Sequence, residues 1–198
     1  DGNTAYFADG SSKDVDAIIL CTGYLHHFPF LPDSLRLKTN NILYPLGLYK
    51  GVVWEQNPKL LYLGMQDQWY TFNMFDAQAW YARDLILGRI ELPSLEEMQS
   101  HTQEWHERET AQDDAKYAID FQGEYTQMLI DETDYPDFDI KGVNRTFMDW
   151  KHNKKDDIMG FRDKSHASLM TGTQSPPHHT PWLEALDDSL EAYLKQEK

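Results

Sequence analysis

The pattern of apolar and polar positions predicts a short β-rich beginning and a longer helical remainder. Alternation from Thr4 to Ala8 predicts a strand, Asp9-Gly10 is typical of a turn, and Val15 to Cys21 predicts a second strand. Residues 17–21 are almost continuously apolar, which favours a strand covered on both faces, as in a parallel α/β sheet. A hairpin alone offers no such cover, so we expect the other strands of this sheet to come from elsewhere.

The middle of the chain predicts irregular structure followed by one more strand. Residues 28–58 are rich in Pro, Asn and Gly with only short apolar pieces between them. Lys59 to Met65 then predicts another buried strand.

Helical periodicity and capping signals predict helices in the rest of the chain. Asn73 is a suitable N-cap for a helix over residues 74–87. Ser94 and Glu97 have the spacing of a capping box, which opens a helix that runs to about Arg108. Further helices are predicted over residues 114–132, from an Asn144 cap through Met159, and from Thr180-Pro181 to Leu194.

Composition narrows the class of protein and its partners. Of the 198 residues, 40% are hydrophobic and 26% are charged, as in ordinary globular proteins. Acidic residues outnumber basic ones by 33 to 18, so we expect no nucleic acid partner, because most of the surface would repel phosphate. The basic cluster at residues 151–155 is followed at once by Asp156 and Asp157, which favours a solvated helix face.

Other features predict a cytoplasmic protein without a metal centre. No apolar run is long enough for a membrane span, and the first residues do not resemble a secretory signal. Cys21 is the single cysteine, which excludes a disulfide within the chain and suits a reducing compartment. The histidines lack the carboxylates and spacing of a metal triad, so we expect them to be structural.

Two of the predicted strands end in residue types that suit a ligand site. Thr22-Gly23 follows the strand predicted over Val15 to Cys21, and such small residues leave room for a flat ligand near the backbone. Gln66-Asp67-Gln68-Trp69-Tyr70 follows the strand predicted from Lys59, ahead of a helix. α/β proteins present ligand sites at strand ends of this kind.

The residues at both strand ends resemble a known family. Cys21-Thr22-Gly23-Tyr24 is similar to the (A/C)TGY segment of flavin-containing monooxygenases. Family members carry Gly-rich fingerprints for FAD and NADPH in their N-terminal half, and no G-x-G-x-x-G occurs here, so the resemblance implies a fragment active only with that N-terminal half. The whole chain resembles the C-terminal half of the bacterial trimethylamine monooxygenases in this family, above all at residues 49–54, 64–80, 134–136 and 178–182.

The resemblance implies a fold, a domain organisation and a reaction. The fold is α/β, with Rossmann-like domains for FAD and NADPH and a largely helical C-terminal region. Residues 1–26 would hold the end of the NADPH-binding domain and its return strand, and residues 27–198 the C-terminal part of the FAD-binding domain with its helical extension. The implied reaction is reduction of FAD by NADPH, formation of a flavin hydroperoxide with O2, and N-oxygenation of trimethylamine to its N-oxide. A homodimer is left open.

The resemblance also implies which residues bind the cofactors. Gln68 and Thr71 are expected beside the flavin ring, where an amide and a hydroxyl can pair with its polar edge. Thr22 and Gly23 are expected to approach a cofactor at the end of their strand. Arg162 is expected to contact a phosphate of NADP, because a guanidinium fork suits phosphate.

The substrate side is implied in the same way. Asp67 and Trp69 are expected at the catalytic centre, Asp67 accepting a hydrogen bond from a protonated amine or a water, and Trp69 offering its face to a methylated nitrogen. Tyr70 and Trp150 are expected to complete an aromatic wall around the small amine.

The residues leave other interpretations open. Gln68 and Thr71 also suit the capping of a helix entry, Trp69 and Trp150 also suit core packing, and Arg162 beside Asp163 is also typical of a surface pair. At the level of function, a related flavoprotein monooxygenase acting on sulfides or indole is one alternative. A non-catalytic acidic interaction domain is the other.

Overall fold

The computed structural model of the chain describes residues 2–23, 26–39, 42–65, 68–111 and 114–174. It contains two compact units, Asp1–Asn40 and Asn41–Lys198. The predicted domain boundary after residue 26 comes from the family resemblance and stays a prediction. The helix predicted from Thr180-Pro181 lies outside the described residues.

The first unit contains an antiparallel hairpin. Strands β1 (Thr4–Tyr6) and β2 (Ser12–Asp14) pair with Thr4 opposite Asp14, and the Thr4 hydroxyl donates a 2.7 Å hydrogen bond to the Asp14 carboxylate. The turn between them has Gly10 at a φ of 83°, a conformation that favours glycine.

The second predicted strand is therefore placed wrongly. Residues 17–21 lie outside any strand, and Ile18, Ile19 and Leu20 are 71%, 85% and 80% exposed. Among the described residues no strand pairs with this run, and an isolated extended segment gains neither ladder hydrogen bonds nor cover. The described strands form two antiparallel pairs, and the expected parallel sheet is not among them.

The second unit begins with a tight hairpin. Strands β3 (Leu48–Tyr49) and β4 (Val53–Trp54) are antiparallel, and Lys50 and Gly51 between them have φ values of 50° and 63°, as a type I′ turn requires. The strand predicted from Lys59 to Met65 is wrong, because the structure has only a single bridge there, between Val53 and Leu61. Apolar content alone does not distinguish a strand from a buried irregular segment.

The helical part of the prediction is confirmed in outline. The four α-helices in the described residues are α1 (Thr71–Ile86), α2 (Leu95–Thr110), α3 (Ala115–Asp131) and α4 (Ile140–Asp156). None of the helices in these residues is long and apolar enough to cross a membrane.

Two helix starts differ from those predicted. The capping box of Ser94 and Glu97 is present at α2. The other two caps are wrong: Asn73 lies inside α1, and Asn144 lies inside α4, whose N-cap is Asp139. The side chain of Asn144 instead forms hydrogen bonds with Tyr70 and Asp120, which are distant in sequence, so local sequence does not reveal this role.

Helix α3 is the central element of the second unit. It packs against both α1 and α4, and its buried residues include Ile119, Phe121, Tyr125 and Leu129. By contrast, Gly142 is the one buried residue of α4, so α4 forms an outer layer over α3. The start of α1 and one face of α4 are consequently brought to the same side of α3.

Candidate functional site

A cavity of about 570 Å³ lies between the segment that enters α1 and one face of α4. Three of its lining residues come from residues 68–71, which we call the entry segment. Three more share a face of α4, because positions three and four residues apart lie on the same side of a helix. The lining side chains are Gln68, Trp69, Thr71, Thr146, Phe147, Trp150 and His166.

Aromatic rings form much of the wall. Trp69 and Trp150 meet edge to face, with ring centroids 6.4 Å apart and an interplanar angle of 86°. Phe147 lies 6.1 Å from Trp69. Trp150 also packs against Phe161, whose ring centroid is 5.0 Å away. These rings present apolar, electron-rich surface to whatever enters the cavity.

The polar groups of the wall are few and mostly uncharged. Gln68, Thr71 and Thr146 contribute an amide and two hydroxyls, and the Thr146 hydroxyl donates a 3.1 Å bond to the carbonyl of Gly142. Among the described lining residues, His166 is the one that can carry a charge. Such a wall suits a small or flat ligand that carries a few polar atoms on an apolar body.

The structure brings together four of the residues expected at the site. Gln68, Trp69, Thr71 and Trp150 all line the cavity, although Trp150 is far from the others in sequence. Asp67, expected to act on the substrate, lies outside the described residues.

Tyr70 is not brought to the cavity. It is 3% exposed, its hydroxyl donates to the side-chain oxygen of Asn144, and the hydroxyl oxygen also lies 3.1 Å from the carbonyl oxygen of Ile140. Burial raises the pKa of Tyr70, and the charges of Asp120 and Asp139 add to the shift. Tyr70 therefore anchors the entry segment to α4 from the side facing the core.

The three remaining expected residues are not among the lining residues of this cavity. Arg162 is exposed, and its guanidinium lies over the ring of Phe161, 4.9 Å from the centroid. Thr22 and Gly23 belong to the first unit, where both are exposed and Gly23 has a φ of 82°.

Sequence reasoning missed three lining residues. Thr146 and Phe147 precede Trp150 by one helical turn, so the helical spacing around Trp150 was a signal that pointed to them. His166 follows a short 3-10 helix (Phe161–Asp163) in irregular chain, where no periodicity applies. In the described residues no group of three His, Cys, Asp or Glu side chains could hold a metal ion.

Comparison with known proteins places these residues in context. A family model described as flavin-binding monooxygenase-like matches residues 1–136. The chain is 62% identical over 192 residues to a trimethylamine monooxygenase of Methylocella silvestris, covering 97% of this chain and 43% of that protein. The chain thus spans less than half the length of the curated relatives it matches.

Two solved structures are also similar. The crystal structure of Tmm from Pelagibacter sp. strain HTCC7211 matches with a TM-score of 0.89 and 52% identity, over 98% of this chain and 44% of that one. The structure of S-allyl-L-cysteine S-oxygenase from Allium sativum matches with a TM-score of 0.63 and 27% identity, over 82% of this chain and 38% of that one.

Proposed function

This chain belongs to the flavin-binding monooxygenase-like family, and we propose that it is the C-terminal part of an FAD- and NADPH-dependent enzyme that oxygenates trimethylamine to its N-oxide. The observation that carries the proposal is the meeting of Trp69 and Trp150 in the wall of a cavity that Gln68 and Thr71 also line. Similarity to trimethylamine monooxygenases at 52–62% identity supports the choice of substrate.

The lining residues fit part of the cofactor. A cavity of about 570 Å³ is larger than a small alkylamine requires, and its aromatic rings, amide and hydroxyls suit the edge of a flavin ring. The chain contains no G-x-G-x-x-G turn for a pyrophosphate, so in this proposal the remainder of FAD and the NADPH bind to the N-terminal half of the enzyme. FAD, when bound and reduced, supplies the activation of O2 that no amino acid side chain provides.

The residues of this chain would then bind and orient the substrate. Trp69 and Trp150 offer ring faces and edges to the methyl groups of a tertiary amine or its ammonium form. Gln68 and Thr71 hold the polar edge of the flavin, and the aromatic wall keeps water from the reacting atoms.

A proton must also leave the substrate. A tertiary alkylamine is mostly protonated at neutral pH, whereas oxygen transfer needs its free lone pair. Asp67, next to Gln68 and Trp69 in the chain, is the proposed acceptor.

Oxygenation of a sulfide is the second candidate. It is favoured by the similarity to a plant S-oxygenase, although at 27% identity that likeness is weaker than the likeness to the amine enzymes. The two candidates differ chemically, because a sulfide is uncharged and has no proton to lose.

The test uses the complete enzyme with trimethylamine and a dialkyl sulfide as alternative substrates. We expect Trp69→Leu and Trp150→Leu to lower kcat/KM for the amine by roughly 10-fold or more, the scale of a desolvated cation–π contact. Asp67→Asn should lower amine turnover by about 100-fold, lower sulfide turnover less, and leave NADPH-driven flavin reduction intact.

Trp80→Leu is the matched control. Trp80 packs against Tyr135 and Arg83 and does not line the cavity, so its loss tests general destabilisation. Equal losses of amine activity in all three tryptophan variants would contradict the proposed site. A wild-type enzyme that oxygenates only the sulfide would decide for the second candidate.

A further inference from the structure

The backbone of the entry segment is strained at the cavity. Thr71 has a φ of 37°, in the left-handed region that a β-branched residue rarely adopts. It is the first residue of α1, and its N-cap Tyr70 makes no side-chain capping bond. Strain of this kind persists only where the surrounding contacts determine the conformation. Contacts from α3 and α4 reach residues 69 and 70, directly before Thr71.

One contact comes from the middle of α3. The amide oxygen of Gln122 accepts a 2.5 Å hydrogen bond from the backbone N–H of Trp69. Gln122 is 4% exposed, so this bond is shielded from competing water. Backbone N–H groups at the entrance of a helix have no partner within the helix, which makes a side-chain acceptor valuable there.

A second set of contacts ties the next residue to α4. The Tyr70 hydroxyl donates to Asn144, and the Asn144 amide donates in turn to Asp120 of α3, at 2.9 Å. Gly123 permits this close approach, since a Cβ there would lie 2.9 Å from the Asn144 oxygen and 3.0 Å from the Tyr70 oxygen. Thus α3 and α4 fix the core side of the entry segment while its other side chains face the cavity.

We propose that Gln122, through its hydrogen bond to the backbone of Trp69, is a positioning residue that sets the indole of Trp69 against Trp150 for substrate binding. The identity of the substrate in this inference rests on the proposed function. The placement of Trp69 by Gln122 does not depend on it. Gln122 does not line the cavity, so in this proposal its effect on the substrate is indirect and includes the placement of Trp69.

The test compares two replacements of Gln122 in the complete enzyme. Gln122→Met keeps the length of the side chain but removes the acceptor, and Gln122→Glu restores an acceptor oxygen. We expect Gln122→Met to raise KM for trimethylamine about tenfold or more, with the rate of NADPH-driven flavin reduction changed by less than about twofold. Gln122→Glu should recover most of the lost affinity.

A second measurement needs no turnover. The fluorescence of each protein minus that of its Trp69→Phe counterpart isolates the emission of Trp69. This emission should shift in Gln122→Met and return towards the wild-type spectrum in Gln122→Glu. If Gln122→Met does not fold, Gln122→Asn provides the same comparison, because its amide oxygen is one methylene too short to reach the Trp69 N–H.

Tyr125→Phe is the control for a merely structural effect. Tyr125 is buried on the same helix and bonds to Gln78 and to the carbonyl of Lys50, not to the entry segment. An equal rise of KM in Tyr125→Phe, or an unchanged Trp69 emission in Gln122→Met, would overturn the proposal. If the wild-type enzyme oxygenates no amine, the proposed function fails, and the Trp69 emission still decides the role of Gln122.

Discussion

At the scale of single residues, the buried charge of Lys50 serves the fold of the second unit rather than the cavity. Lys50 is 5% exposed, forms an ion pair with Glu132 at the end of α3, and lies under the rings of Tyr49 and Tyr81. A buried ammonium needs such partners because desolvation otherwise disfavours its charge. None of these side chains lines the cavity.

We expect His101 to make the stability of this core depend on pH. It packs against Tyr49 and Trp105, and burial, with a contribution from the charge of Lys50, lowers the pKa of His101 below 6.5. The folded state therefore binds fewer protons than the unfolded state as pH falls below 6.5. The contribution of neutral His101 to the free energy of unfolding is therefore complete above pH 6.5. It is lost as the pH falls from 6.5 through the pKa of His101 in the folded state.

We expect His101→Gln to flatten this dependence. Between pH 7.5 and 5.5 the melting temperature of the wild type should fall more than that of the variant. For one proton, the slopes of the free energy of unfolding against pH should differ by at most about 1.4 kcal/mol per pH unit. His152→Gln, at an exposed position of α4, is the control for replacing a histidine by glutamine. Parallel curves for wild type and His101→Gln would contradict the assignment.

At the scale of elements, the packing of α3 on α4 depends on one glycine. Gly123 is buried within α3, and a Cβ there would meet Asn144, Ile140 and Tyr70 at 2.9, 2.9 and 3.0 Å. These atoms belong to a packed, hydrogen-bonded layer that cannot shift freely. A helix interior otherwise favours alanine over glycine by about 1 kcal/mol.

We expect Gly123→Ala to destabilise the protein by about 1–3 kcal/mol despite the better helix propensity, because overpacking outweighs it. The measurement is the unfolding midpoint in urea. Repeating the substitution in an Asn144→Ser background should reduce the loss, since that change removes one of the colliding atoms. An unchanged or higher urea midpoint for Gly123→Ala alone would contradict the prediction, because it would show that α3 and α4 accommodate the added methyl group without loss of stability.

At the scale of the whole molecule, the chain has a cavity with an aromatic wall and lacks the turns that hold the pyrophosphate of a dinucleotide. The curated relatives are more than twice as long, and no G-x-G-x-x-G occurs in this sequence. We expect this polypeptide, expressed alone, to be colourless and to bind no FAD in equilibrium dialysis. Adding the N-terminal half of the enzyme should restore flavin absorbance near stoichiometry. A yellow isolated chain would contradict the prediction.

Local sequence signals predicted the helices better than the strands. The capping box at Ser94 and Glu97 is satisfied by contacts within four residues, so a single sequence suffices to find it. The start of α1 was predicted three residues too late, and the segment before it is bonded to Gln122, which is distant in sequence. The strand predicted over Val15 to Cys21 was wrong because a strand needs a partner, and apolar content does not specify one.

By itself the sequence determined the family, the absence of dinucleotide fingerprints from this chain, and the helical character of its second part. These follow from short motifs and from periodicity, which neighbouring residues encode. Only the tertiary structure decided that Trp150 faces Trp69, that Tyr70 turns into the core, and that Thr146, Phe147 and His166 complete the wall. The physical reason is that these contacts arise where α4 and the entry segment pack over α3, and such packing depends on side chains far apart in the chain.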